Sequence, residues 1–384
     1  MSSLVTPASR SRMSIGKDMV RGQMGFLVAA LTLLFLMPAL LSDFRLDLLA
    51  KFVCFAIIAV GIDIAWGYGG MLVLGQGVFF GLGGYAMGMH LKLVDAKSQN
   101  LAVPDFMNWS GVEKLPAVWK PFEHGWFTVG AALLVPMIVA FLLGSLVFRR
   151  RVRGAYFAIL TQALAAAFVI LLVGQQGLTG GTNGLTNIDM TNFLGIVDLS
   201  SPGATKSLYL IAVVALGITY LLARQLVASR YGRLLIAVRD GEDRVRFLGY
   251  NPATIKTFAF TFSAAAAGLA GALFVPIVGI ISPAMLGVVP SIEMVIWVAL
   301  GGRATLVGAV VGALVVNYAK SRLSEEFPSI WTYFQGLLFI LVIAFIPSGL
   351  AGGIKAARKR LREAGDEKRE RAEAAAGYGE TRFE

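Results

Sequence analysis

The chain has 384 residues, of which 57% are hydrophobic and 15% charged, with a net charge of +11. Soluble proteins carry about 25% charged residues, so this composition excludes a soluble enzyme. The basic excess flanks apolar runs: Arg10, Arg12, Lys17 and Arg21, then Arg149, Arg150, Arg151 and Arg153, then Lys355, Arg358, Lys359 and Arg360. That is the positive-inside signature of a polytopic membrane protein, and it argues against a nucleic-acid partner.

In chain order, residues 1–25 form a basic cytoplasmic tail. The first apolar run resembles a signal peptide in its flanks. "PALLSDF" lacks a small-x-small cleavage site, so the run reads as a retained span. Hydropathy and breaks predict spans near 26–42, 48–66, 70–91, 126–148, 154–173, 208–227, 256–281, 289–301, 303–320 and 332–350. The expected fold is therefore all-α, about ten transmembrane helices in one bundle spanning 26–350. Two basic tails on the same side require an even number of spans, and ten places both termini and the stretches 149–154 and 228–255 in the cytoplasm. Between 289 and 320, "ALGGRATLVG" is either a turn between two spans or a break within one. Residues 351–384 read as a charged cytoplasmic tail.

Outside, the plan leaves the loops 92–125 and 174–207, the second containing "GLTGGTNGLTN". Trp109, Trp119 and Trp126 suit an interfacial belt. The single cysteine, Cys54, excludes an intrachain disulfide.

The third run, "LGQGVFFGLGGYAMGMHLKL", carries Gly75, Gly77, Gly81, Gly83, Gly84 and Gly88. A glycine costs about 1 kcal/mol against alanine inside a helix. Gly77, Gly81, Gly84 and Gly88 fall on one helical face, which lets another backbone approach closely where lipid offers little hydrophobic gain. Gly308 and Gly312 form a GxxxG, and "SAAAAGLAGA" (263–272) is a similar run. Plain bundle packing and a pathway lined by broken helices both fit this pattern.

No G-x-x-x-x-G-K-[ST] is present, so the chain cannot cradle ATP phosphates by a P-loop. No HExxH, Cys/His ligand set or GxSxG appears, so neither a metal centre, a cofactor nor hydrolase chemistry is expected. Asp63 and Glu293 are carboxylates within apolar runs, and each suits either a helix-capping or a pathway role. Gln76, Gln162 and Asn317 are further polar groups suited to a pathway.

One cytoplasmic stretch differs from the others: "SRYGRLLIAVRDGEDRVRFLGYNPATIK" (229–256). It reads as a short helix, a turn at Arg239–Asp240–Gly241, a second short helix stopped at Gly249, and Asn251–Pro252 opening the next span. Such an amphipathic pair suits a solvated linker or docking into a partner's groove. The sequence "AVRDGEDRVRFLGYNPATIKTFAFTFSAAAAGLAGAL" resembles the coupling loop and next span of permeases of branched-chain amino-acid and amide ABC importers. The resemblance covers nearly the whole chain. It is finest to the second permease of the urea importer, on "DIAWGYGGMLVLGQGVFFGLGGYAMGMHLKL", "PDFMNWSG", "LTGGTNGLT", "SIEMVIWVALGGRATLVGAVVGALVVNYAK" and "IPSGLAGG".

That resemblance implies a bacterial inner-membrane importer built from two unlike permeases, cytoplasmic ATPase subunits and an external binding protein, carrying a small polar solute such as urea. A branched-chain amino acid is the alternative within the family, and a stand-alone channel the alternative outside it. The Glu-Ala-Ala signature frequent in permease coupling loops is replaced by Ala237-Val238-Arg239-Asp240. Position and loop shape then assign ATPase coupling to Arg233, Ala237, Arg239, Asp240, Gly241 and Gly249.

Overall fold

The computed structural model describes residues 31–152, 154–188 and 203–326, the backbone of 192–193 and 197–198, and positions 333, 336, 337 and 352. The expected tails, and the expected last span apart from its isolated positions, lie outside the described residues. So do residues 26–30 of the first span, whose remainder is helical over Thr32–Leu36 and Met37–Leu40.

The main helices are α1 (Asp43–Ile62), α2 (Gln76–Ser98), α3 (Gly125–Arg149), α4 (Ala155–Gly174), α5 (Ala204–Ala228), α6 (Arg230–Phe247), α7 (Pro252–Val278), α8 (Val288–Gly301) and α9 (Leu306–Glu326). α1 continues without a break into a π-helical turn, Asp63–Tyr68. The only sheet among the described residues is the two-residue antiparallel pair Asn192–Phe193 with Val197–Asp198. Six helices among the described residues are long and apolar enough to cross a membrane: α1 with its π turn, α3, α4, α5, α7 and α9. The chain is an all-α polytopic membrane protein.

α1 and α7 are central, with 78% and 72% of their apolar windows buried, whereas the windows of α3, α4, α5 and α9 are 22% to 39% buried. α2 is buried along nearly its whole length. Aromatic rings from three neighbours converge on α7: Phe79 of α2, Phe148 of α3 and Phe157 of α4 lie 5.3, 6.3 and 5.4 Å from the Phe260 ring. Helix approach is set by glycine. A Cβ on Gly83 would stand 2.0 Å from the Gly268 carbonyl oxygen, and one on Gly271 would stand 1.9 Å from that of Phe80. On its other side, Gly268 leaves room for the Ala132 carbonyl and the Pro136 ring of α3.

Two expected spans are corrected. The third span starts as a helix at Gln76, and residues 69–75 before it are not helical. The run "GMLVLG" is apolar enough to read as membrane helix, but it is bounded by Gly70 at φ +70° and Gly75. The stretch 289–301 forms α8, only 14 residues and ~21 Å long, too short for a hydrocarbon core of ~30 Å. It is preceded by the stretch 279–287, which begins where Gly279 at φ +77° stops α7 and contains only the single 3-10 turn Pro283–Leu286. Between α8 and α9 the chain turns at Gly302–Thr305 and the two helices pair antiparallel, so "ALGGRATLVG" is a turn between helices.

Candidate coupling and permeation site

Ser229 caps α6, accepting from the Gly232 amide at 3.4 Å. Leu235 and Val238 bury one side of this helix against the bundle. Gly232 is confined: a Cβ there would meet the Val227 carbonyl oxygen at 2.2 Å. At Gly241 the backbone leaves helical geometry (φ −172°, ψ 77°), so α6 is two short helices meeting at a kink. The second half is pinned. Glu242 pairs with Lys256 in the first turns of α7 and with Arg246 at 3.1 Å. The Tyr231 hydroxyl donates to the Ile255 carbonyl, and burial pushes that phenol's pKa well above its ordinary value. Gly249 at φ +87° ends the loop, and the Asn251 side chain accepts from the Ala253 amide at 3.0 Å to start α7.

Arg233, Ala237, Arg239 and Asp240 are on the exposed side of α6. Arg239 also reaches into the bundle. Its Nη1 donates to the Gly67 carbonyl at 2.8 Å while its Nε donates to Asp240 at 2.8 Å. Gly70 makes room for it: a Cβ there would lie 2.8 Å from Arg239 Cγ. Gly67 belongs to the π turn that follows α1, and Asp63 begins that turn. Asp63 is fully buried, and its Oδ1 accepts from the Ala304 amide at 2.7 Å, in the turn that opens α9. The Asp63 carboxylate therefore lies at a helix N-terminus, where the macrodipole favours negative charge. Arg303 stacks over the Trp66 ring at 4.2 Å. The kinked loop, the π turn and the α8–α9 turn thus form one connected structure at one end of the bundle.

From that end, the stretch 69–75 leads to the start of α2. Gln76 Nε2 donates to the Ser263 carbonyl at 2.9 Å. Ser263 lies eleven residues into α7, ~16 Å from the start of that helix, so α2 begins near mid-depth. Gln76 Oε1 is buried without a hydrogen-bond partner. The Gly77 amide donates to Ser291 Oγ at 3.0 Å, and Ser291 donates to the Gly287 carbonyl at 2.9 Å. The first turns of α2 and α8 therefore meet inside the bundle.

The glycine face of α2 receives the stretch 281–286, with Ser291 of α8 also against Gly77. Cβ atoms at Gly77, Gly81, Gly84 and Gly88 would meet the Leu286 carbonyl at 2.7 Å, Leu286 Cγ at 2.0 Å, Ile281 Cδ1 at 2.9 Å and Ile281 Cγ2 at 3.1 Å. The tightest approaches between α2 and α7 fall at Gly83 and Gly271. The top of the stretch is tied to the loop "GLTGGTNGLT", through Leu185 N to Ile281 O at 2.8 Å and Ile281 N to Leu185 O at 3.0 Å. Gly308 and Gly312 hold α9 against α8, where Cβ atoms would stand 2.5 Å from the Gly301 carbonyl and 2.1 Å from that of Trp297.

The five polar candidates do not form one cluster. Asp63 is at the end that carries the kinked loop and Gln76 at mid-depth beside Ser263. Glu293 pairs with Lys320 of α9. Asn317 donates to the Ala313 carbonyl of its own helix at 2.8 Å. Gln162 is half-buried on α4, next to Thr161, whose hydroxyl accepts from the Leu74 amide at 3.0 Å. Sequence reasoning missed Phe247 and Leu248, large apolar side chains 92% and 75% exposed beside the kinked loop. Two apolar residues in an otherwise charged stretch were the available signal. It also missed Ser263 and Ser291, which carry no signal beyond their polarity. Among the described residues no group of three or more His, Cys, Asp or Glu is placed to hold a metal. At the end away from α6, an open pocket of about 580 Å³ is lined by Trp109, Ser110, Val112 and the stretch 174–178.

The family profile described as branched-chain amino acid transport system / permease component matches residues 44–343. The chain is 27% identical over 345 residues to the high-affinity branched-chain amino acid transport system permease protein LivM of Salmonella typhimurium, covering 85% of this chain and 74% of the relative. It is 24% identical over 309 residues to the corresponding LivH protein of the same organism, covering 78% and 91%. To the autoinducer 2 import system permease protein LsrC of Yersinia pestis it is 27% identical over 224 residues, covering 56% and 60%. No solved structure matches the chain.

Proposed function

The chain belongs to the family of branched-chain amino acid transport system permease components, and from that premise we propose that it is one of two unlike permeases of an ABC importer, driven by ATPase subunits docked on α6. The observation that carries this reading is the Arg239–Gly67 hydrogen bond, which ties an exposed, charged loop to the transmembrane core. A stand-alone channel has no use for that connection. The docking face combines Arg233, Asp240 and Arg244 with the uncovered Phe247 and Leu248, a mixture suited to a groove on a partner. On this reading α6 faces the cytoplasm, and the pocket beside Trp109 faces the external binding protein.

The proposed solute route follows the two stretches that lack α-helix, 69–75 and 279–287. Irregular backbone at membrane depth is tolerated where it is enclosed by protein or lines a water-filled cavity, and broken helices place sites near the midplane in many transporters. We assign urea as the solute. The resemblance on 63–93 and 291–320 supports it, as does the partnerless Gln76 Oε1, an acceptor for a neutral amide N–H. A branched-chain amino acid is the second reading, favoured by the similarity to LivM. Uptake of labelled urea and labelled leucine by the reconstituted complex decides between them. Leucine uptake without urea uptake overturns the urea assignment. Purification of the chain without any ATPase subunit overturns the importer reading.

A further inference from the structure

Glu293, Lys320 and Lys51 form a charged group where α1, α8 and α9 meet. Lys320 Nζ lies 2.9 and 2.7 Å from the two carboxylate oxygens of Glu293. Lys51 of α1 is near them: its Nζ stands 6.0 Å from the ring centroids of both Phe55 and Phe274, and the Phe55 ring lies 4.8 Å from that of Trp297, one turn after Glu293 in α8. Lys320 thus has a carboxylate partner, whereas no ion pair among the described residues reaches Lys51.

This group lies at membrane depth. Lys320 is fourteen residues into α9, ~21 Å from its start, and Lys51 is eight residues into α1, ~12 Å from the opposite end of the bundle. It is not sealed inside the chain, since the Lys320 and Glu293 side chains are 38% and 16% exposed. A charge at the centre of a membrane helix costs about 2.5–3.5 kcal/mol on insertion scales, and such residues face protein or water and not acyl chains.

The other outer helices follow that rule. α3 exposes Leu134, Ile138 and Phe141, α4 exposes Ile170 and Leu171, and α5 exposes Val214 and Ile218. The exposed side of α9 is Val307, Val311, Val315 and Tyr318, with Lys320 beside it, and α9 is the least apolar of the six candidate spans. The chain's own remaining apolar runs supply no counter-charge: neither 26–42 nor 332–350 contains Asp or Glu.

We propose that the α8–α9 face around Glu293 and Lys320 is the surface on which the second permease packs, with a carboxylate of that partner completing the group beside Lys51. The proposal rests on the importer reading above, which supplies the second permease. An outward face of this kind suits a partner helix, because the desolvated carboxylate and the excess ammonium neutralise each other out of contact with lipid.

The test uses the assembled complex purified from membranes. A photoactivatable benzoyl-phenylalanine is placed at Val315 or Tyr318, and at Ile138 or Leu171 as controls, and the adducts are identified by mass spectrometry. Val315 and Tyr318 should give adducts with the second permease at least tenfold above the controls. Adducts only with lipid, or only with this chain's own 332–350, overturn the proposal. In a second arm, Lys51→Met should reduce the second permease retained on the affinity-purified chain about tenfold. Full retention with lost uptake would assign Lys51 to the passing solute and overturn it too. A wild-type complex that holds both ATPase and a second permease, with no second-permease adduct at Val315 or Tyr318, overturns this proposal alone, whereas one that lacks the second permease overturns the two-permease reading as well.

Discussion

Arg239 and Gly67 are 172 residues apart in sequence and share a hydrogen bond of 2.8 Å. Through it the kinked loop grips the backbone of the π turn whose first residue, Asp63, holds the Ala304 amide. Displacement of the loop is therefore felt directly at the turn joining α8 to α9.

Exchanging the charges, Arg239→Asp with Asp240→Arg, keeps the net charge and the positive-inside signal but removes the donor to Gly67. Hydrogen bonds to charged groups contribute about 1.5–3 kcal/mol. The variant is expected to insert normally, while uptake and substrate-stimulated ATP hydrolysis fall together by tenfold or more. Quantified membrane insertion beside both activities checks this; wild-type uptake would return the loop to a solvated linker.

Gly67→Ala puts a Cβ 2.0 Å from the Asp63 carboxylate and 2.4 Å from the Ala304 amide nitrogen. Neither group has room to retreat, and overpacking typically costs about 1–3 kcal/mol. The purified protein should melt several degrees lower. Gly130→Ala, whose Cβ meets nothing within 4 Å, should leave the melting temperature unchanged or raise it slightly. Equal effects of the two substitutions would contradict the packing described at Gly67.

At Gly81 the obstacle is the end of a side chain, Leu286. Gly81→Ala should therefore reduce transport mildly, and adding Leu286→Ala should restore much of it. Gly81→Leu should abolish transport in both backgrounds, because the stretch 281–286 can no longer lie against α2. A transport-competent Gly81→Leu variant would show that this stretch need not seat on α2.

Asn183 and Gly241 sit at opposite ends of the bundle. In a Cys54-free background, a cysteine at Asn183 should react with an impermeant reagent added outside intact cells, and one at Gly241 should not. Labelling of Gly241 from outside would invert the whole orientation.

The kinked loop was legible in the sequence because its signals are local. The turn at 239–241, the stop at Gly249 and the Asn251–Pro252 start each depend on a few adjacent residues, and each is found where those residues lie. The stretches without α-helix, 69–75 and 279–287, were not legible. "GMLVLG" and "GIISPAMLG" are apolar enough to read as parts of spans, and hydropathy measures transfer into lipid, not helicity. Their backbone is decided by what they touch: Thr161 beside Leu74 and Gly75, and the glycine face of α2 beside Ile281 and Leu286. The same limit applies to the polar candidates. Asp63 and Gln76 were visible as polar residues in apolar runs, but Ala304 and Ser263, their partners, are 241 and 187 residues away.

The short α8 has a consequence for biogenesis. A segment of which only 14 residues are α-helical cannot settle in lipid alone, since the amides and carbonyls of 279–287 that the single 3-10 turn Pro283–Leu286 leaves unpaired would face hydrocarbon. It becomes tolerable only against the glycine face of α2, made some two hundred residues earlier. The insertion machinery must therefore hold the 279–301 segment until α2 and α7 have already packed at Gly83 and Gly271. Substitutions at Gly77 or Gly84 would then act first as defects of membrane assembly, leaving a late segment exposed to quality-control proteolysis before any question of transport arises.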